Sequence, residues 1–467
     1  MGNPVRIRAV GAAAPSFRVD AKEIGAAWGR GGRGVTSACA PDEDALTLAA
    51  AAAQDALAAA GVTAADIDGL WWGVTRPPFA EGPSHAVLAS AIGLQTHAGG
   101  ALSAGSTHAG IDALLGAADA IAAGAARQAL VVASDALVPG LGTGFEARCG
   151  AGAAAVVLSA DSGAATLGAR VTHSAPLLDR YRGDRELATR DPYDARLVRE
   201  DIFLPAMQDV GPRLASFKPR AWSLPDPDGR LGAVAAKTLG AGTPASAAVF
   251  AAIGDAGAAA ALLGIVGALD AAGIAVLIGS GGGRTTGVCI DVEQPVPGAA
   301  TVPARLDDGT TVPYATVLRA RGQLEPSGET IPMGVPPGSA MFVRGADEML
   351  QMLGARCVEC GTINTPPSIH PACIACGASK FETVPLARHG VVHTFVVNQT
   401  MPPPFVAPLP IAVIDLDDGA RIMLQVVGDG KALDVGSEVE LVLRKYADER
   451  GVPVYGYKAR ELNEDRT

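Results

Sequence analysis

Residues 120–134 read Ala120-Ile121-Ala122-Ala123-Gly124-Ala125-Ala126-Arg127-Gln128-Ala129-Leu130-Val131-Val132-Ala133-Ser134, and residues 268–280 read Ala268-Leu269-Asp270-Ala271-Ala272-Gly273-Ile274-Ala275-Val276-Leu277-Ile278-Gly279-Ser280. Each stretch is the end of a small-residue helix, a glycine stop, a fully apolar strand and a serine-containing loop. A second apolar strand follows each loop, Ala153 to Ser159 in the first and Gly287 to Val292 in the second. A run that is apolar without alternation is a strand buried on both faces, which requires helices on either side of the sheet. The pattern predicts one α/β unit used twice.

Working outward, Asp42-Glu43-Asp44 opens a helix in which Leu46, Ala50, Ala53 and Leu57 recur at helical spacing until Gly61. Ile67 to Val74 and Ala98 to Ser103 read as strands, with a small-residue turn at Ala104-Gly105-Ser106 leading into a long helix from about Thr107 to Ala126. Residues 175 to 220 are more polar and read as an insertion or cap between the copies. Residues 296–340 are rich in proline and glycine and read as a linker. A helix from Ser339 to Leu353 is expected next. Beyond Val384, Val391 to Val397, Ile411 to Leu416, Arg421 to Val427 and Val439 to Leu443 alternate with turns, the pattern of a small barrel.

At 467 residues the chain exceeds one ordinary core and predicts two or three domains. The net charge of -11, without basic clusters, argues against nucleic acid as a partner. No apolar run reaches the ~18–20 residues of a membrane span, and the N-terminal residues lack a signal-peptide core. A cytoplasmic location is expected.

Cys357-Val358-Glu359-Cys360 and Cys373-Ile374-Ala375-Cys376 are separated by twelve residues, and glycine follows each pair at Gly361 and Gly377. Two such knuckles bring four thiolates to one tetrahedral ion at about 2.3 Å. With four protein ligands the position for a substrate is closed, so a zinc ion here is structural. Cys39, Cys149 and Cys289 lack such spacing and read as small buried hydrophobes.

These cysteines, with Pro366-Pro367, Gly390-Val391-Val392-His393-Thr394-Phe395 and Pro410-Ile411-Ala412-Val413-Ile414-Asp415-Leu416, resemble the zinc-ribbon and OB-fold module that accompanies acyl-CoA enzymes. The first 300 or so residues resemble the thiolase superfamily, nearest to hydroxymethylglutaryl-CoA synthases and beta-ketoacyl synthases. That resemblance rests on the Asp42–Gly61 helix, Asp66-Ile67-Asp68-Gly69-Leu70, Gly150-Ala151-Gly152-Ala153 and Gly279-Ser280-Gly281-Gly282-Gly283. It implies a duplicated thiolase fold, layered αβαβα, followed by a rubredoxin-like ribbon and a small OB-fold barrel. The expected domains are 1–165 and 166–295 for the two thiolase-like halves, 296–340 for the linker, 341–383 for the ribbon with its leading helix, and 384–467 for the OB-fold. It also implies an acyl-CoA ligand and a homodimer, or a heteromer with another thiolase-fold protein.

The resemblance further implies a nucleophilic cysteine before the long buried helix, with a histidine and an asparagine from the second half. Thr107 stands where the cysteine is expected, Ser223 where the histidine is, and Asp255 where the asparagine is. The acidic residue expected after the Ile67–Val74 strand is replaced near Thr75-Arg76. A threonine hydroxyl is a poor nucleophile without an adjacent base, and an ionised Asp255 opposes an oxyanion. Three readings follow: a subunit that binds acyl-CoA while a partner does the chemistry, an acyltransferase or retro-aldolase with Thr107, His108, Ser223 and Asp255 lining an altered site, and a scaffold without ligand. An acyltransferase-type role with a partner is the enzymatic expectation. Gly281, Gly282 and Gly283 are read as a backbone wall of the site, and Arg180, Arg182 and Arg185 as a basic mouth for the CoA phosphates.

Overall fold

The computed structural model describes residues 3–176, 178–190, 194–324, 345–401, 405, 407–449 and 452–462. The chain forms two compact units divided near residue 325. The strands of the first are β1 (Arg6–Ala13), β2 (Phe17–Asp20), β3 (Val35–Ala38), β4 (Gly69–Val74), β5 (Gly99–Ala104), β6 (Gln128–Ala136), β7 (Ala151–Ser159), β8 (Ala165–Ser174), β9 (Ala221–Ser223), β10 (Gly273–Gly281), β11 (Arg284–Val292) and β12 (Thr310–Thr311). The helices are α1 (Ala21–Ala27), α2 (Ala45–Ala60), α3 (Ser84–Ile92), α4 (Ala109–Ala122), α5 (Ala195–Leu197), α6 (Leu204–Ala215), α7 (Leu231–Leu239), α8 (Ser246–Ile253), α9 (Ala260–Val266), α10 (Val302–Asp307) and α11 (Tyr314–Ala320).

The sheet order is β5-β4-β6-β7-β1-β8-β11-β10-β9. Its two sides repeat the same pairings. The strands β6 and β7 are antiparallel, as are β10 and β11, while β4 runs parallel to β6 and β9 parallel to β10. The sides join at two residue pairs, Arg6 with Thr166 and Ile7 with Ala165. Helix α2 covers β1, β6 and β7, α6 covers β8 and β11, and α4 and α9 touch each other between the sides. This is the αβαβα layering of the duplicated unit. Alanine and glycine make it possible, because small side chains let the helices approach the strands closely. Helix α2 begins as expected: the Asp44 carboxylate accepts from Leu46 N and Thr47 N, both at 3.0 Å.

Four expectations change. Residues 175–220 are not all insertion, because α6 buries Met207, Val210 and Leu214 against β10 and β11. Each such side chain contributes about 2 kcal/mol of burial. Pro205, Gly211 and Pro212 hid this helix from a reading based on propensity. Residues 296–324 are not a linker. Tyr314 and Val317 of α11 share a core with Val19 and Ile24. The buried Arg18 guanidinium donates to the carbonyls of Pro15, Phe17, Leu306 and Asp308 at 2.5 to 3.0 Å, fastening this segment to β2. The helix expected over 339–353 falls outside the described residues up to 344. Beyond them a short π-helical turn spans Ala346–Leu350, and Leu353 already lies in a strand. Helix α4 is also shorter than the expected 107–126.

The second unit carries β13 (Leu353–Cys357), β14 (Ile363–Asn364) and β15 (Phe381–Pro385) in a small sheet that presents the cysteines. A five-stranded barrel follows, with β16 (His389–Asn398), β17 (Leu409–Leu416), β18 (Arg421–Gln425), β19 (Glu438–Glu449) and β20 (Val452–Glu461) in the order β18-β17-β16-β19-β20. Val427 N donates to Ala459 O at 2.8 Å, nearly closing the barrel between β18 and β20. Ala412, Ile414 and Leu416 point inward along β17. No helix among the described residues is long and apolar enough to cross a membrane.

Candidate functional site

Helix α4 starts against the β10–β11 hairpin. The hairpin turns through Gly282 and Gly283, whose φ values of 60° and 74° are those of a tight two-residue turn. A Cβ on Gly281 would lie 1.9 Å from Thr107 Oγ1, so only glycine lets the strand approach the helix start. Thr107 Oγ1 donates to Ser280 O at 2.9 Å.

Beside this junction lies a cavity of about 140 Å³. Thr107, Asp255, Gly279 and Ser280 form its floor, and Phe203, Leu224, Val249 and Phe250 much of its apolar wall. Among the described residues no cysteine lines it. Cys149, whose backbone bridges Asp255, is fully buried, and burial pushes its thiol up to about 12. Cys289 is buried as expected, whereas Cys39 is only partly so.

The candidate residues divide. Thr107 and Asp255 reach the cavity, while His108 and Ser223 are not among its lining. His108 is fully buried. Its Nε2 bonds Thr286 Oγ1 at 2.9 Å, and its Nδ1 lies 3.2 Å from Asp112. The order Thr–His–Asp imitates a hydrolytic triad, but Thr286 has no exposure to any substrate. Ser223 is equally buried and donates to Ala261 O at 3.1 Å, packing α9 on β9. The backbone lining the cavity is Gly279-Ser280, beginning two residues earlier than expected. Gly282 N is taken by Asp179 Oδ2 at 2.9 Å.

Arg180 is not part of an open mouth. Its guanidinium is ion-paired with Asp255 inside the cavity and stacks 3.9 Å from the centroid of Phe145. Asp255 also accepts from Gly257 N at 3.0 Å. The cap segment is held by Thr189, which bonds Val138 O at 2.8 Å and Gly140 N at 3.1 Å. Arg182 turns back to Glu186 O at 2.8 Å, and Arg185 is exposed.

In the second unit, the Sγ atoms of Cys357, Cys360, Cys373 and Cys376 all lie within 4.8 Å of one another. Tetrahedral zinc with ~2.3 Å bonds needs sulfur separations of about 3.8 Å, so the thiols fit such an ion. The turns are built for it: Gly361 N bonds Cys357 O and Gly377 N bonds Cys373 O, each at 2.9 Å. Asn364 ties the knuckles together, accepting from Ile374 N at 2.9 Å and donating to Ala355 O at 3.2 Å. Backbone N–H groups of Cys376 and Ala375 hold the Cys373 thiol down at about 6.

Residues 383–444 match the family described as the ChsH2 C-terminal OB-fold domain. A DUF35 domain-containing scaffold protein of Methanothermobacter thermautotrophicus is 33% identical over 121 residues, 25% of this chain and 90% of that protein. A hydroxymethylglutaryl-CoA synthase of Pyrococcus horikoshii is 34% identical over 160 residues, 34% of this chain and 46% of that enzyme. The second unit belongs to the DUF35 domain-containing proteins, and the first has a thiolase-like fold similar to that of hydroxymethylglutaryl-CoA synthase. The chain spans about half the length of the synthase it matches. The solved structure of MvaS in complex with 3-hydroxy-3-methylglutaryl coenzyme A superposes with a TM-score of 0.57 at 20% identity, covering 72% of this chain and 95% of that one. At that identity the likeness concerns the fold.

In this thiolase–DUF35 fusion the residue most plainly missed in the sequence is Asp135. It ends β6 fully buried, accepting from Thr75 Oγ1 at 2.7 Å and Ala258 N at 2.8 Å. A Cβ on Gly257, at φ +56°, would lie 2.2 Å from its Oδ2. Asp135 thus fixes the loop that presents Asp255. An acidic residue closing an apolar strand was the available signal. Asp179 and Asp226, also on the cavity, sit in irregular segments and left none.

Burial raises the Asp135 carboxyl to about 6, against three weaker effects of its hydrogen bonds and one of Arg180. A raised folded pKa favours the folded state below the unfolded value near 4, and this contribution fades as pH rises through 6. Two units amount to about 3 kcal/mol. Urea unfolding of wild type and Asp135→Asn between pH 4 and 7 is expected to show a stability difference that shifts by up to that amount, with the wild type losing ground as pH rises. Parallel curves contradict this assignment.

Proposed function

We propose that the thiolase-like unit binds a CoA thioester beside Thr107 without forming an acyl-enzyme, and serves as a subunit for acyl-CoA carbon–carbon chemistry completed by a thiolase-fold partner. The observation that carries this reading is the Thr107 hydroxyl, which donates to a carbonyl and not to a base. A hydroxyl so engaged has no proton acceptor that activates it. Asp255, paired with Arg180, offers an oxyanion no donor. An altered acyltransferase or retro-aldolase needs a base at Thr107, and neither His108 nor Ser223 reaches it. The cavity, in turn, speaks against a scaffold without ligand. The 3-hydroxy-3-methylglutaryl coenzyme A bound to MvaS supports a CoA thioester as the ligand class, and the DUF35 scaffold protein relative supports work in an assembly.

The partner surface in this reading is the outer edge of β5. Gly99-Gly100-Ala101 are exposed there, and among the described residues the strand pairs with β4 alone. A bare edge of small residues is suited to strand pairing with a second thiolase fold, like or unlike. The DUF35 unit holds one structural zinc at Cys357, Cys360, Cys373 and Cys376. The ion cross-links the two knuckles and leaves no ligand position open. Cysteines kept reduced as metal ligands suit a reducing compartment such as the cytoplasm.

Titration calorimetry of the full chain with acetyl-CoA and free CoA, alone and with a co-expressed thiolase-fold partner, is expected to give saturable binding in the micromolar-to-millimolar range. Absence of binding in both settings sinks the reading. Elemental analysis is expected to return about one zinc per chain, falling by at least half in Cys373→Ser, with a lower melting temperature. A metal-free chain with an intact melting transition contradicts the structural zinc.

A further inference from the structure

The cavity has two chemically different sets of lining residues. Val198, Ile202 and Phe203 come from the π-helical turn Val198–Phe203 of the cap, and Leu224, Val249 and Phe250 face it from the second half of the sheet and its helices. No charged side chain stands among these six. The lining also carries three carboxyl groups, Asp179, Asp226 and Asp255, and one guanidinium, Arg180. Arg180 is already paired with Asp255, with side-chain exposures of 11% and 6%, so the pair is sheltered from water. Neither Asp179 nor Asp226 forms an ion pair among the described residues. Asp226 Oδ1 is buried without a hydrogen-bond partner. Burial holds both carboxyls above their ordinary range.

Size narrows the occupant. A dry apolar cavity of about 150 Å³ accommodates a benzene ring, and this one is about 140 Å³. A six-carbon chain or a phenyl ring fills it. A carboxylate on that chain would enter a low-dielectric space beside Asp179 and Asp226, with the single cation of the lining already paired with Asp255, and its desolvation would go largely uncompensated.

We propose that this cavity receives the acyl group of the thioester and selects neutral, apolar groups of about six carbons, aliphatic or aryl, against chains ending in a carboxylate. Ile202 sets the depth of the cavity and Asp226 enforces the exclusion. The proposal rests on the CoA-thioester reading above and deepens it.

The test compares hexanoyl-CoA, benzoyl-CoA, adipoyl-CoA and free CoA by titration calorimetry on the full chain. Hexanoyl-CoA and adipoyl-CoA share a carbon count and differ in the terminal carboxylate. Hexanoyl-CoA and benzoyl-CoA are expected to bind at least tenfold more tightly than either adipoyl-CoA or CoA. In Ile202→Trp, which fills the cavity, hexanoyl-CoA affinity is expected to fall to that of CoA, with CoA itself within twofold of wild type. Asp226→Asn is expected to narrow the hexanoyl-to-adipoyl ratio at least threefold, and a melting curve for each variant confirms folding. Equal or tighter binding of adipoyl-CoA overturns the selectivity and leaves the CoA-thioester reading standing. Hexanoyl-CoA binding no more tightly than CoA overturns the role of the cavity and likewise leaves that reading. Failure of all four to bind removes both.

Discussion

The first unit depends on the contact between the start of α4 and the β10–β11 hairpin. Thr107 reaches Ser280 across it, Gly281 gives the room, and His108 reaches Thr286 just below. This contact joins the two copies of the α/β unit, a helix of the first meeting a hairpin of the second. The cavity exists because the cap and the Asp255 loop close over the same junction. Thr107 Oγ1 and His108 Nε2 are both committed to the hairpin, which leaves Thr107 a structural partner of it.

Charge is arranged around the same constraint. Asp255 would be an unpaired buried anion without Arg180, and removing one member of such a pair typically costs about 3–5 kcal/mol. Arg180 comes from the cap and Asp255 from the loop after α8, so the pair also fixes the cap over the cavity. Asp135 holds that loop from below through Ala258 N. Asp255 and Arg180 form one feature, a neutralised pair on the cavity lining.

Much of this architecture was legible in the residues. The repeat at Gly124 and Gly273 is visible because buried strands tolerate only apolar side chains, and the sheet reproduces it pairing by pairing. The four cysteines are legible because knuckle spacing is set by ligand geometry. Thr107 and Asp255 were found on the cavity, but His108 and Ser223 were not, since direction along a helix start or a three-residue strand is decided by tertiary packing. The segment from Val302 to Ala320 was misread as a linker because its proline and glycine content masks short helices, and its anchor, Arg18, lies almost three hundred residues away in sequence. The acidic part of the cavity lining was invisible because its members come from separate irregular segments.

In the proposed function Thr107 lines a CoA-thioester site without acting as its nucleophile. The most direct measurement is intact-protein mass spectrometry after incubating wild type and Thr107→Cys with hexanoyl-CoA and quenching in acid. The account predicts an unmodified wild type and a variant carrying one acyl group, because a thiol at the start of α4 faces the bound thioester. An acyl adduct on the wild type, or none on a folded variant, would contradict it.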